Sequence, residues 1–285
     1  MSILPDYYER FCCRAADCRH SCCRGWEIDV DAESAAYYER LPGELGEKLR
    51  RSLTGDEEGA HFALTGDERC PFLQADGLCE LICALGEDAL CDICALHPRF
   101  YEDLGDTELC GLGLSCEAAC ALLLGSEEPL CFLDEESGAL LTMEKLLGRL
   151  GLDCDPRRLS YGGEKPSEAF LARLAETESI DTDWPAEFAS LRAALPGLPS
   201  PLPTGPRYDR IEQMLLYRQL ERAEKVGLEA LLDYARESTA FVAACDALQG
   251  PDAEHLRRWS EQIEYSTENV AILLRGLILT PNKNL

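Results

Sequence analysis

Residues 11–23 read Phe11-Cys12-Cys13-Arg14-Ala15-Ala16-Asp17-Cys18-Arg19-His20-Ser21-Cys22-Cys23, five thiols in thirteen positions. Counted from Cys13, the spacing is C-x4-C-x3-C-C. Cysteines used as small core residues scatter through a chain, but these crowd into one stretch. Working outward, further thiols stand in Cys70-Pro71-Phe72-Leu73, Asp76-Gly77-Leu78-Cys79, Cys94-Ala95-Leu96-His97-Pro98-Arg99 and Leu114-Ser115-Cys116. Of 16 cysteines, only Cys154 and Cys245 lie beyond residue 131, which points to a function confined to one part of the chain.

Crowded thiols become disulfides in an oxidising compartment or metal ligands in a reducing one. The opening MSILPDYYERF has no basic stretch followed by an apolar one, and no apolar run approaches the roughly 18 residues of a membrane span. The expectation is a cytoplasmic chain without a membrane segment, whose thiols bind metal. Four thiolates around one centre suit zinc or an iron–sulfur cluster. Neighbouring side chains such as Cys22 and Cys23 rarely converge on one small ion, so one centre would use one of them. A zinc ribbon would show two C-x2-C pairs. Here the only such pair is Cys91/Cys94, which mildly favours iron–sulfur and leaves the metal open.

Acidic residues outnumber basic ones 53 to 27, for a formal charge of -26. Such a surface repels phosphate backbones and excludes nucleic-acid binding through a basic face, while favouring a lysine-bearing partner. The apolar fraction of 46% is enough for a real core.

The expected fold is mainly α, with a cysteine-rich, metal-organised N-terminal half (residues 1–131) containing short strands. Residues 132–206 form a helical segment and a Pro-rich connector, and 207–285 a C-terminal helical domain. Asp31 to Leu53 reads as helix, bent near Pro42-Gly43. Short strands flank the turn Asp76-Gly77, and helices cover 80–96 and 116–124, the second capped by Ser115. Five prolines between Leu195 and Arg207 make a stiff connector. The last helices start near Asp252 and Thr267, with Val270, Leu273, Leu274 and Leu277 as a packing face.

The pattern F-x-C-x4-C-x3-C-C-x-G-W-x-I-D from Phe11 to Asp29 resembles the start of the flagellin lysine-N-methylase family, within a wider group of zinc- or iron-chelating cysteine-cluster proteins. The likeness continues through Cys70–Leu73, Asp76–Cys79, Leu85–Leu90, Cys94–Arg99 and Leu114–Ala119. It closes on WSEQIEYSTENVAILL, Trp259–Leu274. Two positions depart from the family pattern: His97 stands where Tyr is usual before Pro-Arg, and Glu117 where Pro is common.

The resemblance implies methyl transfer from S-adenosylmethionine to lysine side chains of flagellin or another lysine-bearing protein, with a bound iron–sulfur cluster or, alternatively, zinc. It carries over Cys13, Cys18, Cys22, Cys23, Cys70, Cys79, Cys94 and Cys116 as metal ligands. Glu264, Tyr265, Glu268 and Asn269, on or between the last helices, are candidates for ligand contact, against a plain capping role around Ser266 and Thr267. Arg99 is a candidate for binding a carboxylate or neutralising the cluster. No Gly-rich strand-to-helix turn marks a doubly wound cofactor fold. The alternative is a non-catalytic zinc- or iron-binding interaction module.

Overall fold

The structure, a computed structural model, describes residues 1–55, 59–275 and 277. The chain divides into two compact units, Cys12–Phe100 and a larger one of Met1–Phe11 with Tyr101–Leu285. Strands β1–β8 and helices α1–α13 are numbered in chain order.

In the smaller unit, β2 (Ile28–Val30), β4 (Ala60–Phe62) and β3 (Leu53–Gly55) form an antiparallel sheet in the order β2-β4-β3. The expected bent helix is two helices, α1 (Ala32–Arg40) and α2 (Gly43–Ser52), separated at Leu41-Pro42. Asp31 caps α1 by accepting the Ser34 amide at 2.8 Å and accepts the Asp92 amide at 3.0 Å with its other oxygen. These two backbone bonds, Ser34 first, hold its carboxyl down at about 2. The stretch 80–96 is not one helix. Gly86, at φ 89, ends α3 (Glu80–Leu85), and α4 (Asp92–Leu96) begins after Cys91. Tyr38 stacks on Phe62 at 5.9 Å between ring centres, Phe62 meets Phe72 edge-on at 5.0 Å, and the Tyr38 hydroxyl donates to the Ala89 carbonyl at 2.8 Å.

The larger unit begins with β1 (Ser2–Pro5), which lies inside a sheet completed more than a hundred residues later. That sheet runs β5-β6-β1-β7-β8, using β5 (Arg99–Leu104), β6 (Thr107–Leu112), β7 (Cys131–Asp134) and β8 (Ala139–Thr142). Strand β1 is parallel to β6, with Ile3 opposite Leu109, and antiparallel to β7, with Leu4 opposite Leu133. Helix α5 (Glu117–Leu124) follows β6 with Cys116 in the cap position, one residue later than Ser115. Then come α6 (Met143–Arg149), α7 (Glu168–Leu174), α8 (Trp184–Ala194), α9 (Pro206–Arg218), α10 (Ala223–Val226), α11 (Leu228–Gln249), α12 (Ala253–Ile263) and α13 (Thr267–Leu274).

The Pro-rich connector is pinned. Lys165 Nζ donates to the Leu195 and Leu198 carbonyls, both at 2.8 Å, and Leu202 is buried. Pro206 opens α9 where its missing amide costs nothing. Trp259 of α12 is fully buried between Phe170 and Phe241, at 5.9 and 4.9 Å. The Tyr217 hydroxyl donates to Ile3 O at 2.7 Å and lies 2.9 Å from Cys110 O, joining α9 to β1 and β6. The last helices start near Asp252 and Thr267 as expected, capped by Asp252 and Ser266, and of the expected face Val270, Leu273 and Leu274 are buried while Leu277 is half-buried. Among the described residues every strand lies before residue 143 and the C-terminal region is helical, so the fold is mixed α/β, with strands in the N-terminal half and helices in the C-terminal one as expected. Among the described residues no helix is long and apolar enough to cross a membrane.

Candidate metal centre

Three backbone devices gather the thiols of the smaller unit. The Cys70 amide donates to the Cys23 carbonyl at 2.8 Å, which fastens CPFL to the end of the N-terminal thiol segment. The Asp76-Gly77 turn then folds the chain back, with Leu73 bridged to Cys79 and Gln74 N donating to Leu78 O at 2.9 Å. Gly77, at φ 85, makes that turn while lying against Ala16. A single helical turn sets the third piece, where the Cys94 amide donates to Cys91 O at 3.0 Å. As a result Cys70 and Cys91 are buried in the core of this unit, and Cys23, Cys79 and Cys94 pack against it.

Their electrostatics are mutual. Burial first, then the charges of Cys23 and Cys79, push the Cys70 thiol up to about 12. Burial raises Cys79, against the Ile82 and Leu81 amides that favour its thiolate. Cys94 is pushed far up by its hydrogen bond to Cys91, by burial, and by Cys91, Cys23 and Cys70. The same bond from Cys94 lowers Cys91. A hydrogen bond with Cys22, outweighing burial, brings Cys23 down to about 7. Like charges so close cannot all ionise unaided, whereas a bound cation deprotonates coordinating thiols outright. In kind, this donor set fits a soft metal centre. Among the described residues no three His, Cys, Asp or Glu side chains stand in ligating geometry around one point, so the thiols are gathered without forming a coordination sphere. All 16 cysteines are free thiols.

Of the eight thiols carried over from the resemblance, Cys23, Cys70, Cys79 and Cys94 are thus brought together, with Cys22 exposed beside Cys23. Cys13 is exposed and accepts the Ala15 amide at 3.3 Å, while the Cys18 thiol donates to His20 O at 3.3 Å. Cys116 belongs to the larger unit, at the start of α5. Cys154 and Cys245 also belong to that unit. Cys91 was not among the expected ligands. Its C-x2-C spacing to Cys94 was the signal that could have found it. Burial lowers the pKa of His97, so its imidazole is neutral at pH 7. Arg99 and Trp26 are half-buried.

The polar residues near the C-terminus have distinct roles. Asn269 is buried and fully engaged: its Oδ1 accepts the Glu178 amide, and its Nδ2 donates to Glu178 O and Gln262 O, each at 2.9 Å. Glu268 is exposed in the first turn of α13, beside the Ser266 and Thr267 hydroxyls. Tyr265 is exposed. Glu264 differs: its Oε2 accepts the Ser260 hydroxyl at 2.6 Å, and Gln219 also reaches its buried carboxylate. Burial raises its pKa, against Ser260 and the nearby Arg218.

No family model and no solved structure matches the chain. Three curated proteins do. A lysine-N-methylase of Salmonella typhimurium is 24% identical over 143 residues, 46% of this chain and 34% of that protein. The lysine-N-methylase of Salmonella choleraesuis matches to the same extent. The flagellar biosynthetic protein FliU of Salmonella muenchen is 23% identical over 145 residues, 47% of this chain and 82% of that protein. The match thus spans about a third of the lysine-N-methylases' length. This chain is a distant relative of the lysine-N-methylases and FliU.

Proposed function

We propose that the chain is an S-adenosylmethionine-dependent protein lysine N-methyltransferase acting on flagellin, with a thiolate-bound metal in its smaller unit. One observation carries the reading. Cys23, Cys70, Cys79 and Cys94 come from four separated motifs of the resemblance and pack at a single core. The printed names of the relatives supply the reaction and, through FliU, the flagellar setting.

Cys23, Cys70, Cys79 and Cys94 would hold the metal, an iron–sulfur cluster or zinc. A bound cluster would supply a Lewis-acidic site for the amino group of S-adenosylmethionine. The chain's own residues must do the rest. Lysine is protonated at neutral pH, with a pKa near 10.4, and methyl transfer needs the free amine. The formal charge of -26 draws lysine-bearing segments to the surface.

The test is anaerobic purification with iron, sulfide and zinc assays, followed by incubation with labelled cofactor and flagellin. Label on flagellin lysines, lost on metal removal, is the expected result. A metal-loaded protein that neither binds the cofactor nor labels lysine would leave the non-catalytic metal-binding module as the function.

A further inference from the structure

The segment that carries the N-terminal thiols is locally basic. Residues 14–24 hold Arg14, Arg19 and Arg24 against one carboxylate, Asp17, in a chain of formal charge -26. A cavity of about 240 Å³ opens between this segment and the 69–77 loop, and its lining includes Arg19, Arg24, Arg69, Cys18, Ala15 and Gly77.

The backbone sets two of these arginines against each other. Arg24 and Arg69 are directly opposed in an antiparallel bridge, flanked by Gly25 N to Glu68 O and Cys70 N to Cys23 O, both 2.8 Å. Opposed residues of such a pair project to the same side, and like charges there destabilise it unless an anion intervenes. The exposed carboxylate of Asp67 serves both Arg24 and Arg69. Asp67 lies 3.8 Å from Arg69 Nε, and one Arg69 nitrogen donates to Gln74 O at 3.3 Å. Asp76, the carboxylate in the lining, already accepts the Leu78 amide at 3.0 Å.

Backbone conformation singles out the same place. Among the described residues, the non-glycine residues with positive φ are Ala15 (48°) and Glu68 (56°). Ala15 lines the cavity and Glu68 precedes Arg69. An L side chain disfavours this region, and such departures gather where a ligand is held. A forked guanidinium binds the two oxygens of a carboxylate or a phosphate bidentately, and of these the cofactor of the reading above carries the carboxylate.

We infer that the Arg19–Arg24–Arg69 cavity holds the carboxylate of an amino-acid ligand, namely the methionine moiety of S-adenosylmethionine. This rests on the methyltransferase reading above. The cavity lies in the unit that gathers the thiols.

The test is calorimetry on the full, anaerobically purified chain with S-adenosylmethionine, its decarboxylated analogue and methionine. Wild type should bind the decarboxylated analogue at least about tenfold more weakly than the intact cofactor. Arg24→Ala and Arg69→Ala should each weaken the intact cofactor by at least about tenfold, while leaving the analogue at its wild-type affinity. Arg69→Lys, which keeps charge but loses the fork, should fall between. Wild type needs no folding control, and metal content and melting of the variants supply one for the rest. Equal affinity for cofactor and analogue, with both variants unchanged, overturns the cavity and spares the methyltransferase reading. Arginine-dependent binding of methionine without binding of the cofactor overturns the reading and keeps the carboxylate site. Metal loss in the variants at unchanged ligand affinity assigns the arginines to the thiols and overturns the inference. No binding of any of the three ligands by wild type overturns both.

Discussion

The unit of Cys12–Phe100 packs Tyr38, Phe62 and Phe72 around thiols that perturb one another, whereas the larger unit stacks Phe170, Trp259 and Phe241 among leucines of its helices. Cysteines occur in both cores but behave differently. In the larger unit, Cys120 is buried with its thiol donating to Leu114 O at 2.8 Å, and burial alone does most to raise Cys110 and Cys245, each to about 12. In the smaller one, Cys70 and Cys94 feel several neighbouring thiols at once. A thiol spent on a carbonyl is a small apolar residue, while thiols facing each other are a donor set waiting for a cation. A small unit with few large apolar residues has little else to hold it, so the difference is one of stability as well as chemistry.

The sharpest way to break this comparison is to remove a gathered thiol. Cys70→Ser or Cys94→Ser should release metal and expose residues 12–100 to protease, an effect on the order of 10 kcal/mol if the ion is structural zinc. Cys83→Ser, on an exposed thiol, should change neither readout. Full metal content and unchanged melting in both core variants would end the idea that metal organises this unit.

The reverse perturbation is next in size. Trp259→Ala should cost the larger unit about 3–5 kcal/mol through cavity formation, with metal content unchanged. Thermal melting beside a metal assay checks it, and parallel loss of metal would show that the two cores are not independent. Tyr217→Phe tests the same unit more gently. It removes the one hydroxyl proton that Ile3 O and Cys110 O share, at roughly 1–3 kcal/mol in chemical denaturation. A change within error would mean that other donors reach those carbonyls.

How much of this was legible in the sequence follows from the range of the forces involved. The breaks at Pro42 and the caps at Asp31, Asp252 and Ser266 were readable because a cap involves only residues a few positions away. Strand β1 was not, since Ser2–Pro5 is strand only because Leu109 and Leu133 come to lie beside it. The same non-local pairing hid the unit boundary. Cysteine density falls at residue 131, but Cys110, Cys116, Cys120 and Cys131 belong to the unit that β1 opens. Of the site, the motifs pointed to Cys23, Cys70, Cys79 and Cys94. They did not point to Cys91 or to the opposition of Arg24 and Arg69, which arises from a bridge between distant segments.

The smallest expected effect sharpens the comparison from within the smaller unit. Asp31 uses its two oxygens on two elements, Oδ1 on the Ser34 amide that starts α1 and Oδ2 on the Asp92 amide beside Cys91. Asp31→Ala removes a helix cap and should cost about 1 kcal/mol. Asn is normally as good a cap as Asp, but it has one carbonyl oxygen, so Asp31→Asn can serve α1 or the Cys91–Cys94 turn and not both. Its loss should therefore fall between wild type and Ala. The pH dependence separates the charge from the cap. The folded carboxyl sits near 2 against an ordinary value of 3.8, so its contribution is complete above about pH 4 and fades as pH falls toward 2. Wild type should lose stability across that window relative to both variants, whose position 31 does not titrate. If Asp31→Asn matches wild type at neutral pH, the bond to Asp92 contributes nothing, and the tie between α1 and the cysteine turn is a contact without energetic weight.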